Sequence, residues 1–559
     1  MTTEASPAHS AARALDASRL TSSPGVSSIG GAVQWFGLAA AMTAGALLFW
    51  VFDALPFMDL PAHAGLIAMR HRFDTSPFEQ HYFVYAPHLG PYSLFRWLGE
   101  MFDRVMGPVG AVRALATLPV IATPLALLLA RRRLHGEASA GFGYVGLILS
   151  FGLMTVFGFA SYLLGEACLL VTLTLWLELL VAVDDGSPRA RALEIAAALA
   201  TPLLFVAHGH AFVLFLVLAG VACLAAGERA RRLVRLRALV PAIALAAWVA
   251  WDERASLAPS GAVAVSEGKM APLFESVLDK LSLLLTPTLM TRSGIDAAVG
   301  VATWILLIAG LVATARNLGT ETKNETKSDA GPRHVRALLA CMAAVIVLFL
   351  ALPHAVGWFG FVDGRLVPLV LLLGLMAVRI RSLGPSLRFA YAYVAPTFAV
   401  AVLLVNYVAS HRFQDEARGW REVLAQIPPR SRVLNLPIDP NSDFFTGHPF
   451  VHYDKLLLTL HPAVVSDVWF HQGTALYPRP ENPALRLPPE YSSSDLHFTA
   501  WSDYRLEDWD YVLVRTRPST DQLPLPVPPS LTLVDRRGGF WLFQETAPRG
   551  ADPTSVRSP

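Results

Sequence analysis

Charged residues are scarce in this chain, and cysteines are almost absent. Only 16% of the 559 residues are Asp, Glu, Lys or Arg, whereas a soluble protein usually carries about a quarter. The chain therefore lacks the charged surface of a soluble protein, and a net charge of +2 gives no reason to expect a nucleic-acid partner. Cys168, Cys223 and Cys341 all lie inside apolar runs, which argues against a disulfide framework and a zinc site.

Apolar residues are abundant instead, at 54% of the chain. A membrane-spanning helix needs roughly 20 apolar residues in a row, and about eleven such windows recur. The sequence therefore predicts a polytopic α-helical membrane protein with spans near 33–52, 109–130, 142–160, 163–183, 192–208, 211–227, 236–251, 297–314, 335–352, 366–380 and 387–409. Two features weaken the count, because the helices on either side of His208 could be one broken helix and the window at 366–380 is short.

Basic residues indicate which loops face the cytoplasm. Five basic groups each follow an even-numbered window, at 131–133, 189–191, 229–237, 323–336 and 379–381. Short loops rich in Lys and Arg stay preferentially in the cytoplasm. We therefore expect a cytoplasmic N-terminus and, with an odd number of spans, an extracytoplasmic C-terminal region. The expected location is a bacterial inner (plasma) membrane, with a eukaryotic organelle left open.

Composition divides the chain into four parts. Residues 1–32 read as a disordered cytoplasmic tail and 547–559 as a disordered C-terminal tail. Residues 33–410 form the predicted transmembrane domain, in which the first outward loop, 53–108, carries amphipathic helices. Residues 411–546 combine a helical pattern with β-branched runs, which predicts an extracytoplasmic α/β domain. Within it, the runs 531–534 and 540–543 predict a hairpin, and 437–510, rich in Pro, aromatic residues and His, predicts long loops over the membrane.

The first outward loop contains the most informative segment, Asp53-Ala54-Leu55-Pro56-Phe57-Met58-Asp59-Leu60-Pro61-Ala62-His63. Two carboxylates lie at the membrane boundary, where a carboxylate is costly unless it has a partner or a role. Pro61 predicts the start of a helix that would place His63 about one turn from Asp59.

A spanning helix followed at once by an outward acidic motif and by loop helices along the membrane resembles the GT-C superfamily of membrane glycosyltransferases. The glycine-aromatic turn Phe157-Gly158-Phe159-Ala160-Ser161-Tyr162-Leu163-Leu164-Gly165 and the outward C-terminal domain are similar to the same superfamily. The resemblance implies that a sugar moves from a polyprenyl-phosphate carrier to a glycan, lipid or protein acceptor. It also implies that Asp59 is the catalytic base or holds the acceptor. The Asp-Glu doublet common in that superfamily is absent, so a divalent metal ion is left open.

Glycosyl transfer from a lipid phosphate needs a base at the acceptor hydroxyl and positive charge near the leaving phosphate. Arg365, Lys280 and Arg292 are the outward cations that could meet the phosphate, and the amphipathic segment 271–285 could hold the lipid tail along the interface. Besides Asp59, the residues expected to contact substrate are Asp53, His63, His81, His88, Glu166, His208, His210 and Arg365.

Structural alternatives stand beside each of these functional interpretations. Asp59 could simply cap the helix begun at Pro61, Asp363 and Arg365 could pair only with each other, and the loop histidines could be solvated. Two other functions also fit: a transporter or flippase of a lipid-linked substrate, for which internal repeats would be expected, and a non-catalytic membrane scaffold with an outward binding domain.

Overall fold

The computed structural model describes residues 28–87, 89–225, 236–257, 271–321, 330–356, 359–466, 475–479, 500–524 and 526–546. The predicted disordered tails lie outside the described residues, except for 28–32, which open the first helix. His88 also lies outside them.

Helices make up the first three quarters of the chain. They are α1 (Ser28–Val51), α2 (Leu60–Arg72), α3 (Pro77–Tyr82), α4 (Ser93–His135), α5 (Ala140–Leu149), α6 (Leu153–Val156), α7 (Ala160–Asp184), α8 (Ala190–Ala207), α9 (Gly209–Ala225), α10 (Val240–Leu257), α11 (Val277–Leu285), α12 (Gly294–Glu321), α13 (Ala330–Ala351), α14 (Leu366–Ala377), α15 (Pro385–Phe389), α16 (Ala395–Glu416), α17 (Trp420–Leu424) and α18 (Leu457–Leu460). A π-helical turn, Ala390–Val394, joins α15 to α16.

Each of the eleven apolar windows coincides with helical structure. Among the described residues, seven helices are long and apolar enough to cross a membrane, and α5, α9 and α14 are shorter apolar helices. The chain is therefore an integral membrane protein with a helical membrane domain, while the count of eleven spans stays a prediction. The helix α4 is kinked at Gly107, where a positive φ of 72° precedes Pro108, because the proline ring cannot continue the preceding helical turn.

The C-terminal domain is built on a five-stranded mixed sheet. The strands of the described residues are β1 (Phe83–Tyr85), β2 (Pro272–Leu273), β3 (Ala355–Val356), β4 (Arg432–Pro437), β5 (Val464–Val465), β6 (Leu476–Pro478), β7 (Tyr511–Arg515), β8 (Leu531–Arg537) and β9 (Phe540–Glu545). The main sheet contains β4, β5, β7, β8 and β9, while β1 pairs with β6 and β2 pairs with β3 in two small sheets. The order is β5-β4-β7-β9-β8; β4 is parallel to β5 and β7, and β9 is antiparallel to β7 and β8. The predicted α/β fold is confirmed, and β8 and β9 form the predicted hairpin, with Gly538 and Gly539 between the strands.

The expectation of long loops over 437–510 is wrong for much of its described part. This segment supplies β5 to the main sheet, α18, which packs on α2, and β6, which pairs antiparallel with β1 of the first outward loop. Several of its aromatic side chains are buried, so burial of apolar area favours packing over an exposed loop.

Alternating side chains give the sheet two different apolar faces, as the two-residue period of a strand requires. Leu434, Val512 and Trp541 pack with residues 501–509 in a core of their own. Val433 and Leu513 face the other way and join the core that continues into the membrane domain. The segment 440–460 is packed on this second side.

The described members of the basic groups share one end of the helix bundle. Ion pairs connect them across helices: Arg133 with Glu178 at 2.6 Å, Arg333 with Asp185 at 2.9 Å, Arg237 with Glu194 at 3.1 Å and Arg381 with Glu137 at 3.9 Å. The pairs Arg333–Asp185 and Arg381–Glu137 join segments that follow even-numbered windows, while Arg133 and Arg237 pair with carboxylates near the ends of α7 and α8.

The C-terminal domain docks at the opposite end of the bundle. The Tyr453 hydroxyl donates to the Leu55 carbonyl at 3.0 Å, and Arg421 Nε donates to Asp53 Oδ2 at 2.8 Å. The Arg292 guanidinium donates to the Ser442 carbonyl at 2.8 Å, so this predicted phosphate cation instead fastens the domain to the membrane part.

Candidate functional site

Asp59 is held by backbone contacts with the glycine-aromatic turn. Met58 N donates to the Val156 carbonyl at 3.0 Å, and Asp59 N donates to the Phe157 carbonyl at 3.1 Å. Gly158 has a φ of +78°, and a Cβ atom there would lie 2.9 Å from Asp59 N. A residue without a side chain is required by both the dihedral angle and the close approach. The two segments that carried the sequence resemblance are thus in direct contact.

The Asp59 carboxylate is not a helix cap. Asp59 directly precedes α2, yet its backbone is helical, with φ −91° and ψ −16°, and its side chain makes no capping hydrogen bond. Pro61, in the first turn, has no backbone N–H, so the start of α2 has one donor fewer that needs a capping acceptor. Because this hydrogen bond is absent, the capping interpretation is wrong. The residue as a whole is 2% exposed.

Arg365 lies at the start of α14 and faces aromatic rings. Its guanidinium carbon is 4.7 Å from the Phe159 ring centroid and 5.9 Å from that of Tyr162, and the Tyr162 hydroxyl donates to its carbonyl. A guanidinium stacks well on such rings. One amino group also donates to the Gly360 carbonyl at 3.2 Å.

The alternative pairing of Arg365 with Asp363 is not observed. Asp363 pairs with Lys280 at 3.0 Å and with His354 at 2.9 Å. Burial alone would raise the pKa of Asp363, but hydrogen bonds from His354 and Lys280 outweigh it and lower that pKa. Lys280 Nζ also donates to the Phe349 carbonyl at 2.9 Å. Lys280 is therefore committed to this buried pair, which leaves Arg365 as the remaining predicted phosphate cation.

The electrostatic surroundings of Arg365 include Asp59. Burial lowers the pKa of Arg365, and negative charge on Tyr92, Tyr162 or Asp59 would act in the opposite direction. The carboxylate and the guanidinium thus lie close enough to influence each other in a poorly hydrated pocket, where electrostatic interactions are stronger than in water.

Histidine and tyrosine rings extend this cluster. The Tyr162 ring centroid is 5.3 Å from His208 and 5.8 Å from His210, and the Tyr92 ring is 4.7 Å from His208. Glu166, 2% exposed, lies one helical turn after Tyr162. The structure therefore gathers five of the predicted site residues around Tyr162: Asp59, Glu166, His208, His210 and Arg365.

The remaining predicted residues lie elsewhere. His63 packs on Phe95 with ring centroids 4.9 Å apart, at the edge of the cluster. The Asp53 carboxylate is occupied by Arg421, and His81 is exposed beside Tyr82. Asp53 and His81 are thus not brought into the cluster.

A narrow apolar cleft lies beside the cluster. Its cavity volume is only about 10 Å³, and it is lined by Leu149, Gly152, Leu153, Met154, Thr155, Leu163, Leu283, Thr286, Pro287, Gly364, Val367 and Pro368. Gly364 directly precedes Arg365, and Leu283 belongs to α11, whose Val277 and Leu278 are largely exposed. The cleft therefore connects an apolar interfacial helix with the cationic end of α14.

A metal ion has no ready-made ligand set here. Within the described ranges, no three His, Cys, Asp or Glu side chains are grouped closely enough to hold one. The cluster instead offers one carboxylate from the first outward loop, one from α7, a guanidinium and neutral hydrogen-bonding rings.

One buried histidine at the site was missed from the sequence. His452 belongs to the C-terminal domain, is 1% exposed, and places Nε2 3.8 Å from Asp59 Oδ1. The only signal was the aromatic- and histidine-rich composition of 437–510, which does not single out a position.

Comparison with known proteins gives a fold but no sequence family. No family model matches the chain, and no curated protein matches it. Among solved structures, ArnT from Cupriavidus metallidurans in the apo state superposes with a TM-score of 0.53 at 13% identity, covering 93% of this chain and 100% of that one.

Two further solved structures are similar at lower scores. The oligosaccharyltransferase AglB from Archaeoglobus fulgidus, in complex with an inhibitory peptide and a dolichol-phosphate, has a TM-score of 0.45 at 12% identity, covering 86% of this chain and 69% of that one. The mycobacterial arabinofuranosyltransferase AftD has a TM-score of 0.40 at 17% identity, covering 92% of this chain and 40% of that one. The likeness to ArnT over nearly both whole chains confirms the predicted architecture: this protein has the fold of the GT-C membrane glycosyltransferases.

Proposed function

We propose that this protein is a membrane glycosyltransferase that moves a sugar from a polyprenyl-phosphate carrier to an acceptor on the extracytoplasmic face. The observation that carries the proposal is that the glycine-aromatic turn, beside an apolar cleft, contacts both the buried Asp59 and the Arg365 guanidinium. A lipid-linked sugar phosphate would place its phosphate near the guanidinium, its lipid along the apolar cleft and its reacting sugar near the carboxylate.

Each part of the cluster has a chemical role in this transfer. Asp59 accepts the proton of the acceptor hydroxyl or holds that hydroxyl in place. Arg365 stabilises the negative charge that grows on the leaving phosphate. Tyr162, His208 and His210 form a ring-lined wall suited to the sugar and its hydroxyl groups, and Glu166 lies behind Tyr162.

We assign the lipid part of the donor to the apolar surface that runs along this cleft and α11, because a cavity volume of about 10 Å³ cannot enclose an isoprenoid chain. An isoprenoid chain gains free energy by leaving water for an apolar lining. The exposed apolar side chains of α11 extend that lining towards the membrane, so the phosphate of a carrier lying there would reach the region of Arg365.

The sidedness of the reaction follows from the two ends of the bundle. The basic groups collected at one end favour the cytoplasm for that end. The Asp59 cluster and the C-terminal domain lie at the other end, and transfer therefore takes place outside the cytoplasm.

The test uses the purified chain in detergent with a panel of radiolabelled polyprenyl-phosphate hexoses and pentoses, and measures transfer to membrane extracts or to water. We expect Asp59→Asn and Arg365→Ala each to lower transfer by about 100-fold or more. Asp74→Asn is the matched control, because Asp74 is an exposed carboxylate in the same loop that pairs only with Arg70. Full transfer by Asp59→Asn at equal protein levels would remove Asp59 from the mechanism.

The same samples separate the other two functions. Wild-type protein in liposomes that moves the labelled lipid across the bilayer without cleaving its sugar would identify a flippase. Protein that neither transfers nor moves the lipid across the whole panel would favour a scaffold.

A further inference from the structure

A histidine of the C-terminal domain reaches the membrane-domain carboxylate. His452 Nε2 lies 3.8 Å from Asp59 Oδ1, and both side chains are almost completely buried, at 1% and 3% exposure. The two residues are separated by most of the chain, so their meeting requires the docking of the C-terminal domain.

A buried polar network fixes the segment that carries His452. Asn435 Nδ2 donates to the Val451 carbonyl at 3.0 Å and to Asp454 Oδ1 at 3.0 Å, on either side of the histidine. Lys455 Nζ pairs with Asp454 Oδ2 at 3.0 Å and donates to the Ser466 carbonyl at 3.0 Å. Buried charges are costly unless paired, and a satisfied network of this kind holds its members in one geometry.

The membrane domain contacts the same segment from the other side. A Cβ atom on Gly65 of α2 would lie 2.7 Å from the Lys455 carbonyl oxygen, so the helix that begins beside Asp59 packs directly on this backbone. The Tyr453 hydroxyl donates to the Leu55 carbonyl at 3.0 Å. The distance between Asp59 and His452 is therefore set from both domains.

We propose that His452 is a positioning residue that orients the Asp59 carboxylate, and that the C-terminal domain thereby completes the transfer site. This inference rests on the proposed function of Asp59. The 3.8 Å separation is longer than a hydrogen bond. Catalytic hydrogen bonds are often long before the substrate binds, and a neutral imidazole can donate one from Nε2 to Oδ1 when the contact tightens.

The surroundings of His452 keep the ring neutral. Burial lowers its pKa well below the usual value, and the positive charge of Lys455 acts in the same direction, as would a charge on His63. A neutral ring can donate a hydrogen bond to the carboxylate while the proton of the acceptor hydroxyl goes to Asp59. Asp59 therefore remains the base. His452 acts through Asp59 and makes no bond with the sugar.

The experiment compares four variants in the labelled-donor assay: His452→Phe, His452→Gln, Asp59→Asn and the double variant Asp59→Asn with His452→Phe. We expect His452→Phe to lower kcat by about 10- to 100-fold, the range that loss of precise positioning produces, with little change in KM. His452→Gln restores most of the rate because its amide can still donate. In the Asp59→Asn background, His452→Phe has no further effect, since the residue through which it acts is gone.

The matched control is His461→Phe, in the same domain. The His461 ring bonds the Ile427 carbonyl at 2.9 Å, so this variant loses a hydrogen bond without touching Asp59, and it should keep its kcat. A kcat loss in His461→Phe equal to that of His452→Phe would show that domain stability, not positioning, sets the rate.

Three results would overturn the inference: wild-type activity in His452→Phe, equal losses in His452→Phe and His452→Gln, or losses that multiply in the double variant. Wild-type transfer by Asp59→Asn, or no transfer by the wild type with any donor, refutes the proposed function instead. In that case, the melting temperatures of the same four proteins decide the contact. A melting-temperature shift of the double variant that differs from the sum of the two single shifts supports the contact, and a shift equal to that sum overturns it.

Discussion

Gly158→Ala should separate the cost of a strained backbone from the cost of moving Asp59. Gly158 has a φ of +78°, and an added Cβ would lie 2.9 Å from Asp59 N and 3.1 Å from Asp59 Cβ. An L-residue in the left-handed region costs about 1–2 kcal/mol, and forcing a methyl group into a packed site typically costs a further 1–3 kcal/mol. We therefore expect the variant to lose about 2–5 kcal/mol of unfolding free energy.

Gly186→Ala is the matched control. Gly186 also has a positive φ, +64°, but an added Cβ would meet no atom within 4 Å. This variant should lose only the backbone contribution of about 1–2 kcal/mol and should keep full transfer activity.

The assay pairs thermal unfolding in detergent with sugar transfer from the labelled lipid donor. Gly158→Ala must displace Asp59, and a displacement of about 1 Å at a reacting group can cost about 100-fold in rate. Equal activity in the two alanine variants, or an unfolding temperature of Gly158→Ala that matches Gly186→Ala, would refute the close contact between the turn and Asp59.

Two further predictions concern buried charge. Burial lowers the pKa of His63 from 6.5 to about 4, so the folded state favours the neutral ring. The unfolding free energy that depends on this preference is fully present above pH 6.5. It falls by up to about 3 kcal/mol as the pH drops towards 4. Melting curves at pH 7.5 and 4.5 should show a smaller acid loss for His63→Phe than for wild type, and an equal loss would contradict it. Lys280→Met should destabilise the protein by about 3–5 kcal/mol because it leaves the buried Asp363 without this lysine. Adding Asp363→Asn should recover much of that loss. Melting temperatures of the single and double variants measure the recovery, and no recovery would contradict the importance of the pair.

Local pattern was enough to predict most of the elements of the fold. The apolar windows coincide with helices because a chain in lipid must satisfy its backbone hydrogen bonds within each segment. The start of α2 near Pro61 and the β8–β9 hairpin at Gly538 and Gly539 follow from dihedral preferences that act over a few residues. The strand content of 437–510 was missed, since β5 and β6 are short and owe their conformation to partners far along the chain.

The candidate site was only partly predictable for the same reason. Asp59 and Arg365 stood out because a charge beside a membrane-spanning helix is costly without a role. Nothing local could show that Lys280 pairs with Asp363, or that Asp53 serves the docking of the C-terminal domain.

The sequence by itself determined a helical membrane protein, the acidic motif that follows its first helix and a C-terminal α/β domain, because hydropathy and residue period act within one segment. Only the tertiary structure decided which segments meet. Packing placed Asp59 against Gly158, directed Arg365 towards Tyr162 rather than Asp363, and brought His452 from the C-terminal domain to the carboxylate. Such contacts depend on the closure of long loops, and their free energy comes from burial shared by both partners.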